Sequence, residues 1–570
     1  MMPETPPTNT AAGAILARLK AVGVDYIFAN SGTDFPPIIE GLAEATAKKV
    51  PLPTAIVIPH ESAAMGMAYG YFLATGRAQA VMVHTNVGLA NCAIGAINAA
   101  TEHNPVLLFS GRTPVLEMGR LGARTVPIGW GQEMRDQAAL IREASKWDYE
   151  LRFPEQALEI IDRAHAIALS TPKGPVYLSL PREVLCEHCS AEDLTGPSRM
   201  APAVAAPAQA ALDEAVRMLV EAKNPLIVAQ RGAGNAQGFS ILSDLADAWG
   251  IPVVHYWALQ LAVASDHPMA AGTDPLPWVG EADVVLVIDA LAPWSRGSHP
   301  LRTDCKVIQL GPDPLYSRIP VRNFPSDVSL VGDVADVIAS LSRNMQPHHR
   351  ARSPVLAERR RRVADRSAAV RTAAIAQAET GGSEPMTKAW VGLCLSRAIA
   401  GRQATVLSEL GCPLEPMSLS EHDAWYQEPH SGGLGWAFPT ALGMQLARRD
   451  RLIIATMGDG SYMFANPVAC HQIAEAMRLP VLLLVLNNAE WRAVRQSVLE
   501  IYPAGYAARA NAMPLISLEP SPDFTRVAQA SRAWTARVDK GSELPAVLSA
   551  AIDHVTVQRS HALVDIRVGG

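Results

Sequence analysis

Two short polar motifs follow apolar stretches in the last third of the chain. Gly458-Asp459-Gly460-Ser461 comes after the apolar segment Leu452 to Met457, and Asn487-Asn488 ends the apolar run that begins at Val481. Both apolar segments are typical of buried strands. Ligands bind an open parallel sheet at the edge where its strands end. Glycines let a phosphate approach backbone N–H groups, and a carboxylate with an amide oxygen suits Mg²⁺. These residues therefore predict a diphosphate held through a magnesium ion.

Length and composition limit the other interpretations. A chain of 570 residues is too long for one hydrophobic core, and about three domains are expected. A net charge of -6 without a dense Lys/Arg stripe argues against a nucleic-acid partner. No apolar run reaches the ~20 residues of a membrane span, and residues 1–10 lack the pattern of a secretory signal. Seven scattered cysteines favour a cytoplasmic protein, and the cluster Cys186 to Cys189 lacks the second ligand pair of a zinc site.

Strand-like segments alternate with helical patterns along the whole chain. The strand-like segments are 26–28, 55–58, 80–83, 106–110 and 176–180, then 225–229, 253–255, 284–289 and 307–310, then 404–407, 452–455, 481–486 and 562–566. This alternation predicts an α/β fold with doubly wound parallel sheets. Residues 196–210 are Pro/Ala-rich, and residues 346–385 are basic and polar. We therefore expect an N-terminal domain at 1–195, a central domain at 208–345, a linker with one solvated helix at 346–385, and a C-terminal domain at 386–570.

The two polar motifs and their spacing resemble the binding motif for thiamine diphosphate (ThDP) in the superfamily of ThDP-dependent decarboxylases and acetolactate synthases. The resemblance implies that Asp459, the side chain of Asn488 and the backbone carbonyl of Glu490 ligate magnesium. It also makes Gly458, Gly460, Ser461 and Asn488 cofactor-binding residues. Without the resemblance, a tight turn and a polar strand end would explain the same residues.

A glycine-rich segment, Gly432 to Gly443, resembles the part of these enzymes that wraps the aminopyrimidine ring of the cofactor. The resemblance makes Gly432, Gly433 and Leu434 cofactor-binding. The carbonyl of Gly432 would accept from the exocyclic amine, and Leu434 would be the apolar prop that bends the cofactor into a V shape. Leucine at this place is more similar to benzoylformate decarboxylases than to acetolactate synthases. The alternative is a helix start whose glycines serve close packing.

Glu61 follows a strand-like segment and opens an apolar helical stretch. A carboxylate in the first turn complements the helix dipole, which is the purely structural explanation. In the superfamily that this segment resembles, the glutamate binds the pyrimidine ring and promotes loss of the thiazolium C2 proton. The resemblance therefore makes Glu61 both catalytic and cofactor-binding, with the cofactor as electron sink.

His84 begins the segment His84 to Asn91, where acetolactate synthases usually carry Thr-Ser-Gly-Pro-Gly. A histidine here is similar to the active-site histidine of benzoylformate decarboxylase. An unperturbed imidazole titrates near pH ~6.5 and can move protons during catalysis. We therefore expect His84 to be catalytic, and a satisfied histidine at a strand end is the alternative.

Candidates for the substrate pocket come from three segments. Thr33 falls where benzoylformate decarboxylase has a carboxylate-binding serine, whereas Gln132, in Gly-Gln-Glu, is similar to acetolactate synthases. The loosely aligned candidates Trp294, Arg296 and His299 lie where benzoylformate decarboxylase has a second pocket histidine, and Arg296 could bind a carboxylate. The chain thus mixes the patterns of two reaction types. No pattern demands FAD.

The resemblance implies a ThDP- and magnesium-dependent lyase that decarboxylates a 2-oxo acid through an enamine, similar to benzoylformate decarboxylase. Protonation of the enamine would release an aldehyde, and attack on a second carbonyl would give carboligation. The alternatives are an acetolactate synthase-type carboligase (a transferase) acting on pyruvate, a 2-hydroxyacyl-CoA lyase, and a catalytically silent ThDP-binding protein. Intact Glu61, Asp459 and Asn488 argue against the silent protein. The resemblance also implies an active site between subunits of a homodimer or homotetramer.

Overall fold

A computed structural model describes residues 10–189 and 196–569. The predicted end of the N-terminal domain at 195 and both chain ends lie outside the described residues. The described residues form two compact units. The first unit combines the chain up to residue 203 with residues 429–449 and 465–479, and the second contains 204–428, 450–464 and the chain from 480 onward. No helix in the described part is long and apolar enough to cross a membrane.

The first unit contains a parallel sheet in which each helix returns the chain to the next strand. Its strands are β1 (Tyr26–Asn30), β2 (Thr54–Val57), β3 (Gln79–Val83), β4 (Val106–Arg112), β5 (Asp148–Glu150) and β6 (Val176–Pro181). Their spatial order is β2-β1-β3-β4-β6-β5, with every pairing parallel. The accompanying helices are α1 (Ala11–Ala21), α2 (Pro36–Lys48), α3 (Glu61–Thr75), α4 (Thr85–Thr101), α5 (Ile128–Gly131), α6 (Ala157–Leu169) and α7 (Arg182–Cys186). Strands β3, β4 and β6 are buried throughout, which explains their continuous apolar runs.

The second unit contains two further parallel sheets. The central sheet has β7 (Pro225–Ala229), β8 (Val253–Val254), β9 (Val284–Ile288), β10 (Lys306–Gly311) and β11 (Val328–Val331), in the order β11-β10-β9-β7-β8. The C-terminal sheet has β12 (Ala404–Glu409), β13 (Trp425–Gln427), β14 (Leu452–Gly458), β15 (Val481–Asn487), β16 (Trp534–Val538) and β17 (Ala562–Arg567), in the order β13-β12-β14-β15-β17-β16. All of their pairings are parallel. The predicted α/β class with three parallel sheets is confirmed.

The remaining chain also contains twelve α-helices among the described residues. They are α8 (Gln209–Glu221), α9 (Ala236–Trp249), α10 (Leu276–Val279), α11 (Val334–Glu379), α12 (Lys388–Ala398), α13 (Ala437–Ala447), α14 (Asp459–Phe464), α15 (Pro467–Ala476), α16 (Arg492–Ile501), α17 (Tyr506–Ala510), α18 (Phe524–Gln529) and α19 (Leu544–Asp553). Helices α13 and α15 belong to the first compact unit, and the others belong to the second.

Most of the basic segment predicted as a linker lies in the 46-residue helix α11. Arg359 is buried in this helix and donates to the carbonyl oxygens of Trp249 and Ala222 at 3.0 and 2.8 Å. Leu356 and Val363 are buried on the same helix. The helix is therefore packed along one face, whereas we expected a solvated one. The predicted limits of the domains remain a prediction.

Helices α3 and α13 approach each other closely within the first unit. A Cβ atom at Gly70 would lie 2.0 Å from the carbonyl oxygen of Thr440, and one at Gly443 would lie 2.0 Å from that of Met67. Only glycine fits at both positions, because real Cβ atoms do not approach backbone oxygens so closely. This contact fixes the spacing of the two helices. Glu61 is the first residue of α3, and the predicted cofactor-binding residues 432–434 precede α13.

Candidate functional site

The predicted metal-binding residues lie at the carboxyl ends of the neighbouring strands β14 and β15. Asp459 is the first residue of α14, directly after β14, and is 3% exposed. Its carboxylate accepts from the N–H groups of Gly460 at 3.0 Å and Ala489 at 2.7 Å. Because Ala489 follows Asn488 directly, this bond joins the two motifs. The structure therefore brings Asp459 and Asn488 together at one edge of the sheet.

The turn after β15 presents further oxygen atoms. The amide oxygen of Asn488 accepts from the N–H of Glu490 at 3.2 Å, and Ala489 between them is left-handed with a φ of 56°. One carboxylate oxygen of Glu490 accepts from Arg495 Nε at 2.9 Å. The carbonyl oxygen of Glu490 accepts from the N–H of Arg492 at 2.9 Å. The turn thus carries amide, carboxylate and carbonyl oxygens within three residues.

Two buried polar atoms fit a ligand at these turns. Ser461 Oγ and Glu490 Oε1 are buried without a hydrogen-bond partner among the described residues. Such orphaned atoms are rare in folded proteins and call for an explanation. The hydroxyl of Ser461 at the start of a helix suits a diphosphate oxygen. The hydroxyl of Ser461 therefore fits a bound diphosphate, whereas the carboxylate oxygen of Glu490 suits a cation.

The same turns fit magnesium through mixed oxygen ligands. In the described parts of the chain, no group of three or more His, Cys, Asp and Glu side chains is arranged to hold a metal. A site here therefore depends on one carboxylate, that of Asp459, together with the amide oxygen of Asn488 and backbone oxygens, a set that Mg²⁺ accepts. Burial raises the pKa of Asp459, and the backbone donors Gly460 and Ala489 oppose the rise.

Glu61 opens α3 and is 8% exposed. The helix is capped by His60, whose Nδ1 accepts from the N–H of Ser62 at 3.2 Å. One carboxylate oxygen of Glu61 accepts from Asn91 Nδ2 at 3.0 Å. Sequence reasoning missed Asn91, although its place seven residues after His84 puts both residues on one face of α4. Asn91 therefore orients the predicted catalytic carboxyl group.

The predicted ring-wrapping segment is tied to α4 by Asn98, a buried residue that sequence reasoning also missed. Asn98 Nδ2 donates to the carbonyl oxygen of Gly433 at 2.9 Å, and Ser431 Oγ donates to Asn98 Oδ1 at 2.6 Å. Gly432 has a φ of 69°, and a Cβ atom there would meet no other atom within 4 Å. Leu434 is half-buried. The segment is therefore fixed at Gly433, and Gly432 beside it is exposed.

His84 follows β3 and stands at the N-cap position of α4. Its Nδ1 lies 2.5 Å from Asp34 Oδ1, and its Nε2 lies 3.0 Å from Gln132 Nε2. The hydrogen bond with Asp34 raises the pKa of His84, burial opposes the rise, and the charges of Asp34 and Glu61 add to it. Sequence reasoning treated this group as an ordinary imidazole. The structure corrects that expectation, because a buried carboxylate holds the ring.

Three domains of one protein family match the chain. The thiamine pyrophosphate enzyme N-terminal TPP binding domain matches residues 9–140, the central domain 212–341, and the C-terminal TPP binding domain 413–566. The chain belongs to the thiamine pyrophosphate enzyme family. Thiamine pyrophosphate, which is ThDP, is the cofactor of this family. The two TPP binding domains contain the residues described above, with Glu61 and His84 in the first and Gly432, Asp459 and Asn488 in the second.

Relatives of this thiamine pyrophosphate enzyme catalyse more than one reaction. Benzoylformate decarboxylase of Pseudomonas aeruginosa is 25% identical and covers 86% of this chain and 89% of its own. Sulfoacetaldehyde acetyltransferase of Alcaligenes xylosoxydans xylosoxydans is 26% identical, with coverages of 98% and 92%. The solved structure of the Rhodococcus jostii RHA1 ThDP-dependent 4-hydroxybenzoylformate decarboxylase matches with a TM-score of 0.77 at 21% identity, covering 98% of this chain and 99% of its own. Identity alone therefore does not separate decarboxylation from acyl transfer.

Two substrate-pocket candidates of this family member lie in the first unit. Gln132 contacts the imidazole of His84, and its neighbour Glu133 forms an ion pair with Arg112 at 2.6 Å. Thr33 is exposed in the turn after β1. The structure thus brings Gln132 to the predicted catalytic histidine, and the pair of Glu133 with Arg112 anchors the loop that carries it.

The other three pocket candidates lie at the central sheet of the second unit. Trp294 is buried and packs edge-on against Phe324, with ring centroids 5.5 Å apart, so packing alone explains it. Arg296 is exposed. His299 Nδ1 accepts from the N–H of Ser295 at 2.9 Å, which orients the imidazole within its own loop. A role in substrate binding remains a prediction for all three.

Proposed function

We propose that this thiamine pyrophosphate enzyme is a magnesium-dependent lyase that decarboxylates a bulky or aromatic 2-oxo acid and releases the aldehyde. The observation that carries the proposal is the arrangement of His84. Its imidazole is held by Asp34 at the N-terminal end of α4, the helix that also places Asn91 against Glu61. Such an imidazole provides the proton transfer that distinguishes aldehyde release from carbon–carbon bond formation.

The residues predicted from the sequence would hold the cofactor. Asp459, the amide oxygen of Asn488 and the carbonyl of Glu490 would bind magnesium, and Ser461 would bind the diphosphate. The aminopyrimidine ring would lie against Gly432 to Leu434. Bound ThDP supplies a nucleophilic carbon and an electron sink.

Two side chains of this chain would move protons in the reaction. Glu61 would exchange a proton with the pyrimidine ring through one carboxylate oxygen, while Asn91 donates a hydrogen bond to the other. Loss of CO₂ from a 2-oxo acid requires that one proton reach the carbon that carried the carboxylate. His84 would deliver this proton, because its hydrogen bond with Asp34 favours the protonated imidazole.

A carboligase or acyltransferase is the second candidate function. It is favoured by Gln132, which belongs to the Gly-Gln-Glu segment similar to acetolactate synthases and lies 3.0 Å from His84 Nε2. Sulfoacetaldehyde acetyltransferase is also as similar in sequence as benzoylformate decarboxylase. In carboligation, a second carbonyl compound would take the place of the proton.

A product screen tests the proposal. The protein is loaded with ThDP and Mg²⁺ and given a panel of alkyl and aryl 2-oxo acids that includes pyruvate and benzoylformate. We expect equal amounts of CO₂ and aldehyde from at least one bulky or aryl acid. Acetolactate as the main product, or no turnover of any 2-oxo acid, would overturn the proposal. Protein without ThDP is the blank for spontaneous decarboxylation.

A further inference from the structure

A buried carboxylate that belongs to none of the predicted ligand sets lies against His84. Asp34 is 4% exposed, in the turn between β1 and α2. Its Oδ1 is 2.5 Å from His84 Nδ1, and its Oδ2 accepts from the N–H of Thr85 at 3.3 Å. One carboxylate thus contacts both the imidazole and the backbone that carries it.

Two glycines make room for this pair. A Cβ atom at Gly32 would lie 2.2 Å from His84 Nδ1, and a Cβ atom at Gly111 would lie 1.5 Å from Asp34 Oδ2. Any larger residue at either position would displace the imidazole or the carboxylate. The pair is therefore enclosed by the ends of β1 and β4, and the ring has little freedom to turn.

The hydrogen bonds define which ring nitrogen can change its protonation state. A carboxylate only accepts, so Nδ1 of His84 carries a hydrogen in both the neutral and the charged ring. Nε2 faces Gln132, whose amide donates to a bare nitrogen or, when turned over, accepts from an N–H group. Both protonation states of Nε2 are thus accommodated without a change at Asp34.

We propose that Asp34 is a positioning residue that keeps His84 in the Nδ1–H tautomer, so that Nε2 is the atom that exchanges the proton with the substrate. The proton exchange with the substrate rests on the proposed function. The position of the proton on the imidazole ring is independent of that function. A purely structural role, in which Asp34 only caps α4 through Thr85, is the competing explanation.

The charges near His84 also favour its protonated form. The charged groups that face the imidazole are Asp34 from the β1–α2 turn and Glu61 from α3, and both are acidic. They raise the pKa of His84, so the imidazole stays protonated to a higher pH than an isolated one. Removal of the Asp34 charge must therefore lower the pKa of His84.

The first test measures His84 directly and needs no turnover. Diethyl pyrocarbonate acylates only an unprotonated imidazole nitrogen, and peptide mass spectrometry follows the rate at each histidine as the pH is varied. We expect the midpoint for His84 to lie above that of the exposed His348 in the unmodified protein. In Asp34→Asn, which keeps an acceptor for Thr85, the midpoint of His84 should move to lower pH. A His84 midpoint equal to that of His348, or one unchanged by Asp34→Asn, would overturn the proposal.

A matched variant controls for the loss of a helix-capping carboxylate elsewhere in the chain. Asp333 caps α11 by accepting from the N–H of Ala335 at 3.2 Å, far along the chain. Asp333→Asn should leave the His84 midpoint unchanged. A shift of equal size in both variants would show a nonspecific charge effect and would also overturn the proposal. If Asp34→Asn does not fold, a His84 midpoint no higher than that of His348 in the unmodified protein still overturns the proposal.

The second test is the pH profile of turnover. Asp34→Asn should lower kcat about tenfold or more near neutral pH, with KM nearly unchanged, and should move the alkaline limb of kcat to lower pH. A rise in KM alone would mean that Asp34 contacts the substrate, which contradicts a positioning role. If the unmodified protein decarboxylates no 2-oxo acid, the proposed function fails, and the acylation experiment still decides the role of Asp34.

Discussion

The two carboxylate oxygens of Glu61, at the start of α3, have different surroundings. Its Oε2 accepts from Asn91, and its Oε1 lies on the side of Gly88, where an added Cβ atom would be 3.2 Å away. One oxygen is thus fixed by an amide, and the carboxyl group keeps its orientation. Exchange of the carboxyl group for an amide would preserve this shape while removing the ability to carry a proton.

Glu61→Gln should bind ThDP with an affinity within a few-fold of the unmodified protein and lose turnover by about 100-fold or more, because general acid–base catalysis contributes on this scale. Calorimetry measures the binding and steady-state kinetics measure the turnover. Glu44→Gln is the control, since Glu44 pairs on the surface with Lys48 of the same helix. Full activity of Glu61→Gln would refute the role of Glu61.

Asp459→Asn should weaken magnesium-dependent binding of ThDP, because an amide cannot supply the anionic ligand that Mg²⁺ prefers. We expect at least about a tenfold loss of Mg²⁺ affinity, measured by titration of tryptophan fluorescence with ThDP present. Asp523→Asn is the matched control, since Asp523 caps α18 and is exposed. Equal Mg²⁺ affinity of Asp459→Asn and the unmodified protein would exclude Asp459 as a ligand.

At the residue scale, Asp459 and Asn488 were predicted because each is a polar residue that directly follows an apolar run. The structure joins the two segments through Ala489, and the role of both residues as metal ligands remains a prediction. Asp34 and Asn98 were not found, because their partners lie 50 and 335 positions away along the chain. No local pattern indicates which distant side chain a buried polar residue will contact.

At the scale of elements, the contact between α3 and α13 supports the first-unit residues. Both helices are apolar on all sides and almost entirely buried, and their glycines allow backbone contact. Asn98 adds a hydrogen bond from α4 to the segment before α13. Three helices thus restrain the region that carries Glu61 and Gly432.

Gly70→Ala should lower the free energy of unfolding by about 1–3 kcal/mol or more, because the added methyl would overlap the carbonyl oxygen of Thr440. Chemical denaturation measures the effect. Gly280→Ala is the control, since a Cβ atom at Gly280 would meet nothing within 4 Å. Equal stability of the two variants would contradict the close approach of α3 and α13.

Four edge strands were not predicted from the sequence patterns. They are β5, β11, β13 and β16, and each lies at an edge of its sheet. Edge strands have one neighbour, so they are short or only partly apolar and lack the continuous run of a central strand. The buried central strands, by contrast, were predicted from their apolar runs.

At the scale of the whole molecule, three predicted domains correspond to three parallel sheets, yet the compact units divide the chain differently. Residues 429–449 and 465–479 join the unit of the N-terminal sheet. The sequence could not predict this, because the small residues of α13 indicate close packing without naming the partner helix. The expected active site between two subunits of a dimer or tetramer remains a prediction.

The most direct test of the central claim follows carbon from substrate to product. Apoprotein reconstituted with ThDP and Mg²⁺ is given pyruvate together with the bulky or aryl 2-oxo acid that is turned over fastest in the product screen, each labelled with ¹³C at its keto carbon, and the products are identified by NMR. We expect the labelled aldehyde of the bulky or aryl acid as the main product, absent without ThDP and formed about 100-fold or more slowly by Glu61→Gln. Acetolactate, or a product that joins the two labelled carbons, as the main species would contradict the central claim.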